Sequence, residues 1–461
     1  MYPNIVFILI DGLRADQFYG NNRTCKTPNI DYLKKHSVCF TQAVSSSDGT
    51  FTSLNSVFSA NFPFRNGVRT RKILLKENNL LDIFIKNGYK INGLVPKLTS
   101  FYQLINYFEN NDKTYDYFES DDKTFGQSIS SESLSTGLTD KIIDFLKNRT
   151  AKIPWLYYVH LCDLHPIREK KIPPGIESFN SEKFGTSVYE KVVSSIDHEL
   201  GKIFEYVDFD NTILVLTADH GERIPHGNVT SVDFEPKLET IVKLGKKTLP
   251  KSTQKIGGKF LSKLRYNMGK RKLKSENMDL TNTQIRSRDV YFAMSLFDEM
   301  IRIPLLFVNN SISPKIIPGL VRSVDIFPTL CDLVKISFEQ TVHGRSLLTL
   351  IQGNKIEEKP AYIHTAPYQK PHPTDSVGIR TNNYKYFRSI HNLKENVNLY
   401  DLKNDPSENN NIAETNEELV DRFEQILMEI QSDNFSQDED EENQEELETI
   451  EFELKKMGYT E

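Results

Sequence analysis

Hydrophobic residues in this chain come in short unbroken runs, separated by stretches with helical spacing. Ile5-Val-Phe-Ile-Leu-Ile10 is continuous, apolar and rich in β-branched side chains, the pattern of a strand buried on both faces of a parallel sheet. Trp155-Leu-Tyr-Tyr-Val-His160, Thr212-Ile-Leu-Val-Leu-Thr217 and Pro304-Leu-Leu-Phe-Val308 read the same way. Between them the period lengthens. Thr27 to Lys35 opens on Thr-Pro, a capping residue ahead of a proline that a first helical turn tolerates. Thr186 to Tyr206 sets Val192, Ile196, Leu200 and Ile203 on one face. Leu80 to Asn87 is a short helix stopped at Gly88. Strands alternating with helices predict an α/β fold around a central, mainly parallel sheet.

Sheets of this kind collect chemistry beyond the C-terminal ends of their strands. The first apolar run leads straight into Asp11, and Thr212–Thr217 leads into Asp219-His220-Gly221-Glu222. A lone aspartate after a strand is ordinarily a cap. Two acidic strand ends, one with an adjacent histidine, instead read as potential metal ligands. Ser45-Ser-Ser-Asp-Gly-Thr-Phe-Thr-Ser-Leu-Asn-Ser-Val-Phe-Ser-Ala60 is a small-polar loop entering an apolar-periodic helix. A hydroxyl at that helix start is either an N-cap or a nucleophile favoured by the helix N-terminus.

Composition adds bounds. The 461 residues hold one large domain, or a large one with an appendage, and 38% hydrophobic content is ample for a core. A net charge of -6 gives no reason to expect nucleic acid. Cys25, Cys39, Cys162 and Cys331 form no CxxC pair, which predicts reduced, partly buried thiols. No apolar run is long enough for a signal h-region or a span, so the expected location is cytoplasmic, with membrane-peripheral attachment open. Residues 237–276 are crowded with lysine and arginine, against only Glu239 and Glu276. Interleaved Ile256, Phe260, Leu261 and Leu264 would give that segment an amphipathic face toward an anionic surface; a solvated loop is the plainer reading. Asp438 to Glu453 is acidic, and apolar spacing returns over Leu447 to Tyr459 as a docked terminal helix.

The order of the motifs resembles the sulfatase-like family of the alkaline-phosphatase superfamily. Pro3-Asn-Ile-Val-Phe-Ile-Leu-Ile-Asp-Gly-Leu-Arg-Ala-Asp16 is similar to its first strand and metal loop. Thr27-Pro-Asn-Ile-Asp-Tyr-Leu33, Phe62-Pro-Phe-Arg-Asn-Gly-Val68 and Leu216-Thr-Ala-Asp-His-Gly-Glu222 follow in family order. So do Leu296-Phe-Asp-Glu-Met-Ile-Arg-Ile-Pro-Leu305, Val324-Asp-Ile-Phe-Pro-Thr-Leu330 and Leu399-Tyr-Asp-Leu-Lys-Asn-Asp-Pro-Ser-Glu408. The resemblance implies a sandwich around the sheet plus a smaller C-terminal part. The expected division is a catalytic domain over 1–348 with a basic insert at about 230–285, a C-terminal subdomain over 349–432, and an acidic tail with terminal helix over 433–461.

The same resemblance places Thr50 where sulfatases carry the Cys or Ser that becomes formylglycine. Cys/Ser-x-Pro-x-Arg reads Thr50-Phe-Thr-Ser-Leu54 here, and the family's Gly-Lys-Trp-His segment has no counterpart beyond Gly93-Leu-Val-Pro-Lys97. An unmodified threonine resembles the superfamily's phosphodiesterases and phosphoethanolamine transferases. Asp11, Asp219 and His220 would hold one divalent ion, Zn²⁺, Mn²⁺ or Ca²⁺, with Thr50 as an activated ligand. Gly12 stands where a second aspartate is common, and Asp16 reads as a helix-start residue. His165, before Pro166, and His226 resemble the family's histidines that bind the ester oxygens or protonate the leaving group. Lys97 is a candidate substrate contact. The expected activity is hydrolysis of phosphate or sulfate esters through a Thr50 adduct, phosphoesters favoured. The substrate would be a small molecule, a glycan or a lipid headgroup. A phosphotransferase, or an inactive binding protein on the same fold, is the alternative.

Overall fold

The computed structural model describes residues 2–20, 23–66, 71–117, 120–122, 127–129, 132–149, 153–169, 172–224, 281–288, 295–366, 375–432 and 448–453. The chain divides into one unit of Met1–Glu222 with Met294–Glu461 and a second of Arg223–Ala293. Within the second, Asn282–Arg288 is helical. The basic segment 237–276 and His226 lie outside the described residues.

Strands are numbered along the chain: β1 Asn4–Ile10, β2 Val38–Val44, β3 Lys90–Pro96, β4 Thr114–Tyr115, β5 Ser120–Asp122, β6 Gln127–Ile129, β7 Trp155–Leu161 and β8 Thr212–Thr217. Then come β9 Arg302–Val308, β10 Lys315–Arg322, β11 Ala361–His364, β12 Ser376–Arg380, β13 Tyr384–Ser389 and β14 Asn398–Asp401. Eight of them form the central sheet in the order β10-β2-β9-β8-β1-β7-β3-β4. β1 lies parallel between β7 and β8. β9 runs antiparallel to both β2 and β8. Its apolar run had suggested another parallel strand; full burial on both faces fixes an apolar composition and leaves direction open.

The sheet is a filling between layers. Tyr158 packs edge-on against Phe7 and Phe58, while its neighbour Tyr157 stacks on Phe145. Successive strand residues point to opposite faces. Helix α3 (Thr50–Ser59), which carries Phe58, and the helix Leu138–Lys147, which carries Phe145, therefore cover opposite faces.

Two further helices, α1 (Ala15–Tyr19) and α2 (Pro28–Lys35), follow β1. Thr27 occupies the N-cap of α2, yet its side chain makes no capping bond. The cap comes from the long helix Val188–Phe204, where buried Asp197 accepts from Ile30 N–H at 2.7 Å and Asn29 N–H at 3.2 Å. Asp197→Ala would strand those donors, and a loss of about 2 kcal/mol is expected. Urea unfolding should show a lower midpoint at unchanged slope; an unmoved midpoint would remove Asp197 from this role.

The smaller C-terminal part is a four-stranded antiparallel sheet, β11-β12-β13-β14, closed by the helix Glu417–Gln431 through Phe423 and Leu427. Buried charges join it to the segment before β9. Lys385 Nζ lies 2.6 Å from Asp298 and 2.7 Å from Glu408, and Arg380 donates to Asp298 at 3.0 Å. Residues 448–453 are helical and docked. Ile450 is buried, and Thr99 donates to the Glu453 carboxylate through N–H and hydroxyl, both at 2.8 Å.

Candidate active site

The strand order brings the ends of β2, β8, β1 and β7 to one edge of the sheet. Asp11 leaves β1, Asp219 and His220 follow β8, and the loop after β2 delivers Thr50 as the first residue of α3. Asp11, Asp219 and His220 each present a ligand atom, all within 4.8 Å of one another, and all three are buried. Thr50 Oγ1 lies 3.2 Å from Asp11 Oδ2 and 3.2 Å from His220 Nε2. Gly49 holds the N-cap of α3. The threonine hydroxyl is thereby turned from capping toward the carboxylate and imidazole, beside first-turn N–H groups that have no intrahelical acceptor.

The backbone around these groups is tightly fixed. Asp219 Oδ1 accepts from Gly12 N–H at 3.1 Å and from His220 N–H at 2.8 Å. Gly12 has φ +70, and a Cβ there would sit 3.3 Å from Glu222 Cβ; a second aspartate at this position would be strained on both counts. Tyr189 hydroxyl donates to Gly12 carbonyl at 2.6 Å and accepts from Arg14 N–H at 2.9 Å. Arg14 also donates to the Glu222 carbonyl at 3.3 Å, linking the two acidic loops. Asp16 lies in the first turn of α1 and pairs with Arg14 at 2.7 Å.

The donor set fits a cation. Asp11 Oδ1 and Asp219 Oδ2 are buried carboxylate oxygens with no hydrogen-bond partner, a costly state unless positive charge meets them. His220 Nδ1–H donates to the Gly221 carbonyl at 2.6 Å, which turns Nε2 toward the carboxylates, 3.9 Å from Asp11 Oδ1 and 3.5 Å from Asp219 Oδ2. Burial opposes ionisation of Asp11, but the approach of His160 and the charges of His220 and His165 hold its carboxyl well below the usual range. Burial and the Asp11 charge raise Asp219 instead. Burial disfavours a charged His220, yet Asp219, Asp11 and Glu222 push it up to about 9. An ion between the carboxylates would compete with that proton.

His165 is buried, and Tyr117 hydroxyl lies 2.7 Å from its Nδ1. It stands on the loop that follows β7, the strand beside β1. Lys97 follows β3, separated from β1 by β7, with its side chain exposed. His160 was missed by reading the sequence. It sits inside β7, fully buried, with Nε2 3.5 Å from Asp11 Oδ2 and Nδ1 3.0 Å from Tyr158 hydroxyl. The available signal was a histidine in a strand otherwise built for burial on both faces. The four cysteines are free and buried, and no described helix is long and apolar enough to cross a membrane.

The C-terminal part reaches this edge. His364 bridges to Ser47, and Asp48 accepts from Ser295 N–H at 2.5 Å and Ala366 N–H at 2.7 Å. A Cβ on Gly49 would lie 2.4 Å from Ala366 Cβ, so glycine is needed where the two parts meet.

A model of the sulfatase family matches residues 3–336. A second, for the C-terminal region of N-sulphoglucosamine sulphohydrolase, matches residues 290–433. Arylsulfatase K of Mus musculus is 23% identical over 451 residues, covering 93% of this chain and 79% of that protein. In fold, the chain is similar to the phosphonate monoester hydrolase of Agrobacterium radiobacter, with TM-score 0.64 and 14% identity over 93% of this chain and 95% of the other. A protein crystallised with its substrate D-glucosamine-2-N,6-O-disulfate gives TM-score 0.61 at 17% identity, over 94% and 99% of the two chains. At these identities the structures speak for fold alone.

Proposed function

The chain belongs to the sulfatase family, and we propose that it hydrolyses sulfate or phosphate esters through a covalent adduct on Thr50. The observation that carries this reading is Thr50 Oγ1, 3.2 Å from both Asp11 and His220 at the start of a ten-residue helix. A divalent cation bound by Asp11, Asp219 and His220 would make the Thr50 hydroxyl more acidic and polarise an ester oxygen. Thr50 gives its hydroxyl proton to water, and its oxygen attacks sulfur or phosphorus. The ester oxygen leaves with the bond's electron pair and takes a proton from His165, whose ring the Tyr117 hydroxyl orients. The first-turn N–H groups of α3 face the charge that develops on the transferred group. Water, giving a proton to the now neutral His165, then attacks sulfur or phosphorus; the Thr50 oxygen leaves with the bond's electron pair and takes up a proton, and the sulfate or phosphate product is released.

The name of the curated relative favours sulfate esters. Thr50 favours phosphorus. Threonine already carries a methyl on Cβ, so its oxidation gives a ketone and never the aldehyde of formylglycine. Release therefore needs attack at the central atom of the adduct, and a doubly charged phosphoryl transition state gains more from a cationic site than a sulfuryl one. Phosphorus esters are expected to show kcat/KM at least about tenfold above matched sulfates, about 1.4 kcal/mol of transition-state stabilisation. A panel of aryl sulfate, aryl phosphate, phosphodiester and phosphonate monoester tests this. Efficient sulfate turnover without phosphodiester turnover would reverse the preference; no turnover of any ester would sink the hydrolase reading.

A further inference from the structure

A second group of ligand atoms lies against the first. Asp11, His160 and Cys162 present a carboxylate oxygen, an imidazole nitrogen and a thiol sulfur, all within 4.8 Å of one another and all buried. The juxtaposition follows from sheet register. Ile10 pairs with Leu161 across β1 and β7, and Asp11 N–H donates to the Leu161 carbonyl at 2.9 Å. Asp11 thus sits beside Cys162, and His160, two residues earlier, shares that face.

An independent observation points to a ligand. His160 is 0% exposed, and its Nε2 has no partner in hydrogen-bonding geometry. Asp11 Oδ2 lies 3.5 Å away. When Nδ1–H donates to the Tyr158 oxygen at 3.0 Å, Nε2 offers its lone pair to the same space. The carboxylate of Asp11 can serve two ions. Its Oδ1 faces His220 at 3.9 Å, and its Oδ2 faces His160.

We propose that Asp11, His160 and Cys162 form a second cation site, selective for a thiophilic ion such as Zn²⁺, which shares Asp11 with the Asp11–Asp219–His220 centre. Mixed nitrogen, sulfur and oxygen donors suit Zn²⁺, and three protein ligands leave an open position. Thr50 Oγ1 lies 3.2 Å from Asp11 Oδ2, so an ion here would stand beside the proposed nucleophile, where paired ions clamp attacking and leaving oxygens.

The inference rests on the metal reading of the Thr50 centre, and stoichiometry separates the two. The full chain is stripped with chelator, reconstituted with Zn²⁺ or Co²⁺ alone, dialysed and assayed for bound metal. Two ions per chain are expected, falling to one in His160→Gln and in Cys162→Ser. The Co²⁺ form should show a thiolate-to-metal charge-transfer band that Cys162→Ser abolishes. If that variant fails to fold, the wild-type band and the His160→Gln stoichiometry decide. One ion with no thiolate band overturns the second site and leaves the first standing; no bound ion overturns both.

Discussion

Thr50→Ala is expected to abolish ester turnover while leaving the fold and the metal ligands in place. Removing a nucleophile ordinarily costs several orders of magnitude in rate, about 10³ to 10⁶. The structural cost is small by comparison. Alanine is a better helix former than threonine at the first position of α3, and Gly49 keeps the cap. The lost hydroxyl gives up its hydrogen bonds to Asp11 and His220, about 1 kcal/mol each. The carboxylates and His220 remain when the Thr50 ligand is lost, so most of the bound metal should be retained. Thr50→Ser keeps the oxygen and should retain much of the activity, a result that steric disruption cannot mimic. Near-normal turnover in the alanine variant would refute the assignment. Ser47 and Thr52, both buried on the same loop and helix, would be the next hydroxyls to test.

Much of this centre was legible because apolar runs end abruptly in acids. Ile5–Ile10 and Thr212–Thr217 are strands whose ends carry Asp11 and Asp219, and the rule for parallel sheets puts such ends on one edge. The small-polar loop before α3 was equally visible. What stayed hidden depends on partners distant in sequence. His160 became part of the site through the register of β7 against β1, which periodicity does not encode. Cys162 is a free, buried thiol, as its lack of a CxxC partner suggested; its closeness to Asp11, at the end of another strand, is what spacing along the chain could not show. Thr27 had the sequence of a cap, but Asp197 from another helix satisfies those donors. The direction of β9 was open for the same reason: composition follows burial, and direction follows chain routing.

Asp219→Asn should remove most of the metal affinity, and activity with it, without weakening the metal-free protein. Asp219 Oδ1 is held by two backbone N–H groups, and an asparagine carbonyl can accept both. The change falls on Oδ2, which has no hydrogen-bond partner. There an amide donor replaces a charged ligand, and such a loss typically costs at least 10- to 100-fold in affinity. The metal-free protein responds in the opposite sense. Burial and the adjacent Asp11 charge raise the Asp219 pKa, so the folded state already disfavours this carboxylate when no cation is bound. A neutral side chain relieves that repulsion. Saturating metal at about 100 times Kd stabilises a folded chain by about 2.7 kcal/mol, and most of that increment should vanish in the variant. Thermal unfolding with and without added metal reads both halves. The wild-type Tm should rise on metal addition; the variant should start at or above the metal-free wild type and rise little. A variant with the full metal-dependent rise and undiminished turnover would show that Asp219 does not hold the ion, and Asp11 with His220 would then have to bind it alone.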